Sequence, residues 1–142
     1  MTDPKQKFKC LLVIAISFAI PRTFRAKTKL TGSPLRRTLH SQSVSKVEDI
    51  KYMVLEHIQK ALYFSGDIPL DIVFVNSNTG NIAANNWLHG FNNMCLQKGI
   101  IKVIDRENSG WSYGAYSFVV DRFINDYDYF IFTEDDVYVG KP

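Results

Sequence analysis

The chain has 142 residues, 46% of them hydrophobic and 22% charged, which suits one globular core and excludes both a disordered tail and a two-domain enzyme. Its formal net charge of +3 averages two unlike parts: residues 1–47 hold ten Lys or Arg against one acid, and residues 48–142 hold seven against thirteen. A basic first third is joined to an acidic remainder, and any function has to use or tolerate both.

The first element is the apolar run CLLVIAISFAI, Cys10 to Ile20, behind a basic stretch. It is shorter than the ~20 apolar residues a membrane-spanning helix needs. The following Pro21-Arg22-Thr23-Phe24 is not a small-x-small cleavage site, so a signal peptide is disfavoured. Its β-branched content predicts a buried central strand instead. Residues 21–44 are basic, rich in Ser and Thr and without periodicity, and read as a long exposed loop. Ser45-Lys46-Val47-Glu48 has the form of a capping box, and Val47, Ile50, Val54, Ile58, Ala61 and Leu62 continue at helical spacing up to Gly66 and Pro69. Asp71 to Asn76 predicts a second strand. Asn81 to Lys98 predicts a helix with Trp87, Leu88, Phe91 and Cys95 on one face, closed by Gly99. Ile100 to Asp105 predicts a third strand, Arg106 to Tyr113 a polar loop, and Ala115, Phe118, Val119 and Phe123 a third helix. Tyr127 to Thr133 predicts a fourth strand. This alternation predicts one α/β domain with a parallel sheet and right-handed helical crossovers.

Cys10 and Cys95 are far apart in apolar stretches, which fits buried thiols and a reducing, cytoplasmic setting rather than a disulfide scaffold. His40, His57 and His89 are scattered, and no C-x-x-C occurs, so a structural zinc site is not expected.

Thr133-Glu134-Asp135-Asp136 places three adjacent acids directly after a buried strand. Their mutual repulsion is costly unless offset, and a hard divalent cation, Mn²⁺ or Mg²⁺, prefers such oxygen ligands. In open α/β sheets the ligand crevice lies outside the carboxyl ends of the strands, where this motif falls. A solvated acidic turn is the bland alternative. Gly110-Trp111-Ser112-Tyr113-Gly114 fits G-x-S-x-G, the turn that carries a nucleophilic Ser in hydrolases. Here the predicted strand stops at Asp105 and no His follows the Ser, so a serine hydrolase built on Ser112 is the weaker reading. The glycines better suit close approach of the backbone to a phosphate. A diphosphate would also want guanidinium donors, from Arg106 or from Arg22, Arg25, Lys27 and Lys29 of the basic loop. That loop also suits peripheral contact with an anionic membrane. Nucleic acid is not expected as a partner, because no reader motif is present and the acidic remainder repels a phosphate backbone.

Together the strand LLVIAISF, the strand DIVFVNSN, the loop RENSGWSYGA and the strand YFIFTEDDVYV resemble the GT-A type glycosyltransferases, the family-2 group in particular. The resemblance covers nearly the whole chain and is densest in its last forty or so residues. It implies a Rossmann-like three-layer sandwich with a mainly parallel sheet, in which residues 1–142 form the nucleotide-sugar-binding portion. It implies that Asp136 and Glu134 bind Mn²⁺ or Mg²⁺ as a D-x-D-like motif, with Glu134 or Asp135 reaching the ribose. Ser17 and Phe18 would line the base pocket, and Asn76 and Asn78 would face the base. The loop bearing Arg106, Asn108, Gly110, Ser112 and Gly114 would pass the nucleotide. The family often has an acid where this chain has Asn76 and Asn78, and continues its loop Ala-Arg-Asn where this chain has Ala115-Tyr116. The implied reaction moves a sugar from a nucleoside diphosphate to a hydroxyl of an acceptor, a glycan, lipid or protein. The acceptor half and the catalytic base would lie beyond Pro142, so the chain reads as C-terminally truncated and no base is assigned. A non-catalytic nucleotide-sugar-binding or interaction domain is the alternative.

Overall fold

The computed structural model describes residues 8–19, 46–64 and 68–135. The basic loop 21–44, Ser45 and Asp136 lie outside them. Within them the chain forms β1 (Cys10–Ile16), α1 (Val47–Phe64), β2 (Leu70–Asn78), α2 (Ile82–His89), β3 (Cys95–Leu96), β4 (Gly99–Glu107), α3 (Trp111–Phe123) and β5 (Tyr129–Glu134).

β1 reads as an unbroken apolar run because it is buried on both faces. Leu11, Val13 and Ala15 join Val73, Val75, Ala115 and Val119 in one core beneath α3. Ile14, Ile16 and Phe18 join Ile50, Val54, Ile72, Phe74, Ala84 and Leu88 in a second core beneath α1 and α2. The two-residue alternation of strand side chains thus feeds two cores, one on each side of the sheet.

The sheet order is β3-β4-β2-β1-β5. β1 pairs in parallel with β2 and β5, β2 pairs in parallel with β4, and the two-residue β3 runs antiparallel to β4. The fold is therefore α/β, with a five-stranded, mostly parallel mixed sheet and three helices among the described residues, compatible with a Rossmann-like sandwich. From β1 the chain steps outward through β2 to β4, and then α3 carries it back across to β5. The order reverses between β1 and β5, and a crevice forms at the carboxyl ends of strands at such a reversal.

The expectations for residues 81–99 are corrected. The helix predicted over 81–98 ends at His89, because Gly90 terminates it and Asn93 adopts a left-handed φ of 65°. The chain then folds along β4, with Val103 N–H donating to Asn92 Oδ1 at 2.9 Å and Asn93 N–H to the Ile101 carbonyl at 2.8 Å. Cys95 consequently lies exposed on β3 instead of buried in a helix. Gly99 is not a helix cap either: it opens β4, and a Cβ there would stand 1.9 Å from the Leu70 carbonyl oxygen. The expected capping box rests on Ser45, outside the described residues; within them Asp49 Oδ2 accepts from the Lys46 N–H at 2.9 Å. No helix among the described residues is long and apolar enough to cross a membrane.

Candidate functional site

The carboxyl ends of β1, β2, β4 and β5 carry the polar residues that the apolar strands position. The parallel register sets Ile16 beside Asn76 and Asn76 beside Asp105, while Ala15 lies beside Glu134. Side chains then alternate between the α1/α2 face and the α3 face, which divides the site in two.

On the α1/α2 face the end of β5 is tied to the end of β1. The Ser17 N–H donates to Asp135 Oδ2 at 2.9 Å, and the Asp135 N–H to the Ala15 carbonyl at 3.1 Å. Asp135 is only 4% exposed, so its carboxylate fastens the two strand ends. His57, a polar residue within the apolar stripe of α1, sits against this junction with its Nε2 3.0 Å from the Glu134 carbonyl oxygen. A carbonyl only accepts, so Nε2 carries the proton. Burial pushes the His57 pKa below its ordinary value, and the bond to Glu134 and the charge of Asp135 offset this only in part.

Further along the same face Asn76 is fully buried, and its Nδ2 donates to Asn85 Oδ1 at 2.9 Å and to Asp105 Oδ1 at 2.8 Å. The second Asp105 oxygen lies 2.7 Å from His89 Nε2. Asn78 Oδ1 accepts from the Gly80 N–H at 2.9 Å and from Asn85 Nδ2 at 3.2 Å.

On the α3 face Arg106 turns back on its own loop. Its guanidinium donates to Ser77 Oγ at 3.2 Å, to the Trp111 carbonyl at 3.4 Å and to the Ser109 carbonyl. This grip explains Gly114, where a Cβ would stand 2.7 Å from both the Arg106 guanidinium and the Ser109 carbonyl oxygen. Gly110 caps α3 in a left-handed conformation, and Trp111 follows with φ 54°, an outlier for a bulky residue, its side chain 88% exposed. β4 runs on to Glu107, two residues past the predicted end, so the turn into α3 is short and Ser112 lies in the first turn of the helix. The described histidines are engaged elsewhere, His57 with Glu134 and His89 with Asp105.

The sequence-predicted residues thus separate. Ser17 and Asp135 meet directly, Asn76 and Asn78 share one amide network, and Arg106, Gly110 and Gly114 build the opposite loop. Asn108 is exposed beside them. The two described acids of the motif, Glu134 and Asp135, part company. Alternation puts Glu134 on the α3 face with Phe130 and Phe132, and Asp135 on the other. Among the described residues no three His, Cys, Asp or Glu side chains gather to hold a metal ion. Among the described residues Asp135 is held at the β1 junction and Glu134 is left to offer a cation its carboxylate, while Asp136 lies outside them.

Sequence reasoning missed His57, Thr79, Asn85, Asp105 and His89. Asn85 and His89 stand four residues apart on α2, a spacing that puts both on one face, and this was the one local signal available. No family model matches the chain, and neither a curated protein nor a solved structure shows significant similarity to it.

Proposed function

We propose that this chain is the nucleotide-sugar-binding portion of a GT-A type glycosyltransferase. The observation that carries the reading is positional: the acidic motif ends β5 beside β1, where the strand order reverses and an open α/β sheet binds its ligand. Two further features support it. The buried polar network ends β2 and β4 on one side of that reversal, and the Arg106-braced glycine loop opens α3 on the other face. In this reading Glu134 and Asp136 hold Mn²⁺ or Mg²⁺ against the diphosphate, and the ends of β1 and β2 hold the base. The reaction is displacement of the nucleoside diphosphate from the anomeric carbon by an acceptor hydroxyl.

Titration calorimetry with UDP and GDP, each with and without Mn²⁺, tests the reading. Binding that requires Mn²⁺ and is lost in Asp136→Ala is expected. Equal weak heats with and without the cation, or binding untouched by Asp136→Ala, refute it.

A further inference from the structure

The two edges of the sheet are finished differently. Along the outer side of β4 the chain covers its own backbone. The Ile101 carbonyl accepts from the Asn93 N–H at 2.8 Å, and the Ile101 N–H donates to the Met94 carbonyl at 2.9 Å. The Val103 N–H donates to Asn92 Oδ1 at 2.9 Å. At the opposite edge no strand among the described residues lies beyond β5.

The bonds from β5 to β1 fix which groups that edge leaves open. The Tyr129 N–H donates to the Lys9 carbonyl at 3.2 Å and the Asp135 N–H to the Ala15 carbonyl at 3.1 Å. Backbone groups of successive residues point to opposite sides of a strand, so Ile131 and Thr133 also face β1, and Phe130, Phe132 and Glu134 face outward. His57 Nε2 already takes the Glu134 carbonyl at 3.0 Å. The open row is therefore the N–H and C=O of Phe130 and Phe132. Its side chains are apolar on both faces of the sheet. Tyr129, Ile131 and Phe132 are 53%, 51% and 42% exposed, and Phe8 packs edge-on against Tyr129 with ring centroids 5.6 Å apart. β5 holds no Lys, Arg or Pro, the residues that ordinarily blunt an edge.

We infer that β5 pairs antiparallel with β5 of a second copy of this chain, about a two-fold axis at Ile131, so that two five-stranded sheets become one. The open groups set the register. Phe130 and the partner's Phe132 exchange a pair of N–H···O=C bonds, and the axis repeats the exchange for Phe132 and the partner's Phe130. Every open group of both residues is then used, and the Glu134 carbonyl held by His57 is not called on. A register centred on Phe132 would set Phe130 against the partner's Glu134 and need that carbonyl. The side chains agree. Ile131 meets the partner's Ile131 in a non-hydrogen-bonded pair, where side chains lie closest, and Tyr129 meets the partner's Thr133. On the other face Phe130 meets the partner's Phe132, and Tyr116 backs Phe132 with ring centroids 4.8 Å apart. This self-complementarity singles out a second copy, and a two-fold contact closes at a dimer. At each end Glu134 comes beside the partner's Asp128, and these like charges keep the association weak and let salt tighten it.

Sedimentation of the chain across a concentration series, without nucleotide, tests the inference independently of the reading above. A reversible monomer–dimer equilibrium with a Kd of about 10–100 µM is expected, as suits a small interface. Raising NaCl from about 50 to about 500 mM should tighten it about threefold. Ile131→Lys sets two ammonium groups on the axis and should weaken the dimer at least about tenfold, whereas Ile82→Lys, exposed on α2, should leave it unchanged. In a Cys10→Val, Cys95→Ser background, mild oxidation should cross-link Ile131→Cys to its own copy and not Thr133→Cys, which faces Tyr129 across the pair. A chain that stays monomeric throughout overturns the inference and leaves the edge to another strand. So does a dimer that salt loosens, one indifferent to a folded Ile131→Lys, or one in which Thr133→Cys cross-links as readily as Ile131→Cys. Should Ile131→Lys not fold, the two cysteine variants decide.

Discussion

The two ends of the sheet are built to different standards. At the amino ends, polar groups close on each other. Asp71 accepts from the Ile100 N–H at 2.8 Å and from the Tyr127 hydroxyl at 2.6 Å, and that hydroxyl accepts from Lys102 Nζ at 3.0 Å. Lys102 also lies over the Phe123 and Tyr127 rings, at 4.9 and 5.3 Å from their centroids. Burial and the bond to Asp71 push the Tyr127 pKa far above its ordinary value, so the hydroxyl stays protonated and keeps donating. At the carboxyl ends Asn76 Oδ1 and Thr79 Oγ1 have no partner, and Trp111 keeps a left-handed φ with its ring in solvent. One end is finished for stability. The other retains features that cost stability, and a fold keeps such features at sites of function.

The largest effect is expected where the amino end is tightest. Gly99→Ala places a Cβ 1.9 Å from the Leu70 carbonyl oxygen and 2.9 Å from Asp71 Oδ1, and the first of these is backbone that cannot step aside. Urea unfolding should record a loss of about 3 kcal/mol, at the upper end for an overpacked position. A loss below about 0.5 kcal/mol would mean that β4 does not approach β2 this closely.

A pair of hydroxyl deletions then sets the ends against each other. Tyr127→Phe leaves Asp71 Oδ2 and Lys102 without the group between them, and should cost about 1–2 kcal/mol. Thr79→Val removes a hydroxyl that has no partner in the fold, and should be neutral or stabilising by up to about 1 kcal/mol. Equal destabilisation by both substitutions would erase the distinction between the two ends.

What the sequence disclosed follows from where each signal resides. β1 and β2 were legible because strands buried on both faces must be apolar without interruption; the acidic motif was legible because it follows an apolar run, although that run, β5, is the sheet's edge strand and is half exposed rather than buried as expected. The extent of α2 was not. Trp87, Leu88, Phe91 and Cys95 do have helical spacing, but Gly90 and the left-handed Asn93 redirect the chain into β3. Within the motif, strand alternation sends Glu134 and Asp135 to opposite faces, a division that the run of acids does not display by itself. The amide network was beyond local reading altogether. It depends on a register that joins Ile16, Asn76 and Asp105 from three strands, together with Asn85 and His89 from a helix.

The smallest effect belongs to His57, where the carboxyl end meets α1. Its folded-state pKa lies below the unfolded value of 6.5, because burial disfavours the charged ring more than Glu134 and Asp135 favour it. The unfolded chain therefore binds the proton first as the pH falls, and protons held by the unfolded state lower stability. Above about pH 6.5 neither state is protonated and His57 adds no pH dependence. Between that value and the depressed folded pKa, stability declines as the pH is lowered, and below both it levels off. His57→Gln keeps a donor for the Glu134 carbonyl and has no charge to gain. Unfolding curves in metal-free buffer at pH 7.5 and pH 5 should show the wild type losing more stability than His57→Gln. Parallel losses in the two chains would place the acid sensitivity elsewhere, among the carboxylates, and would free the β1–β5 junction from any part in it.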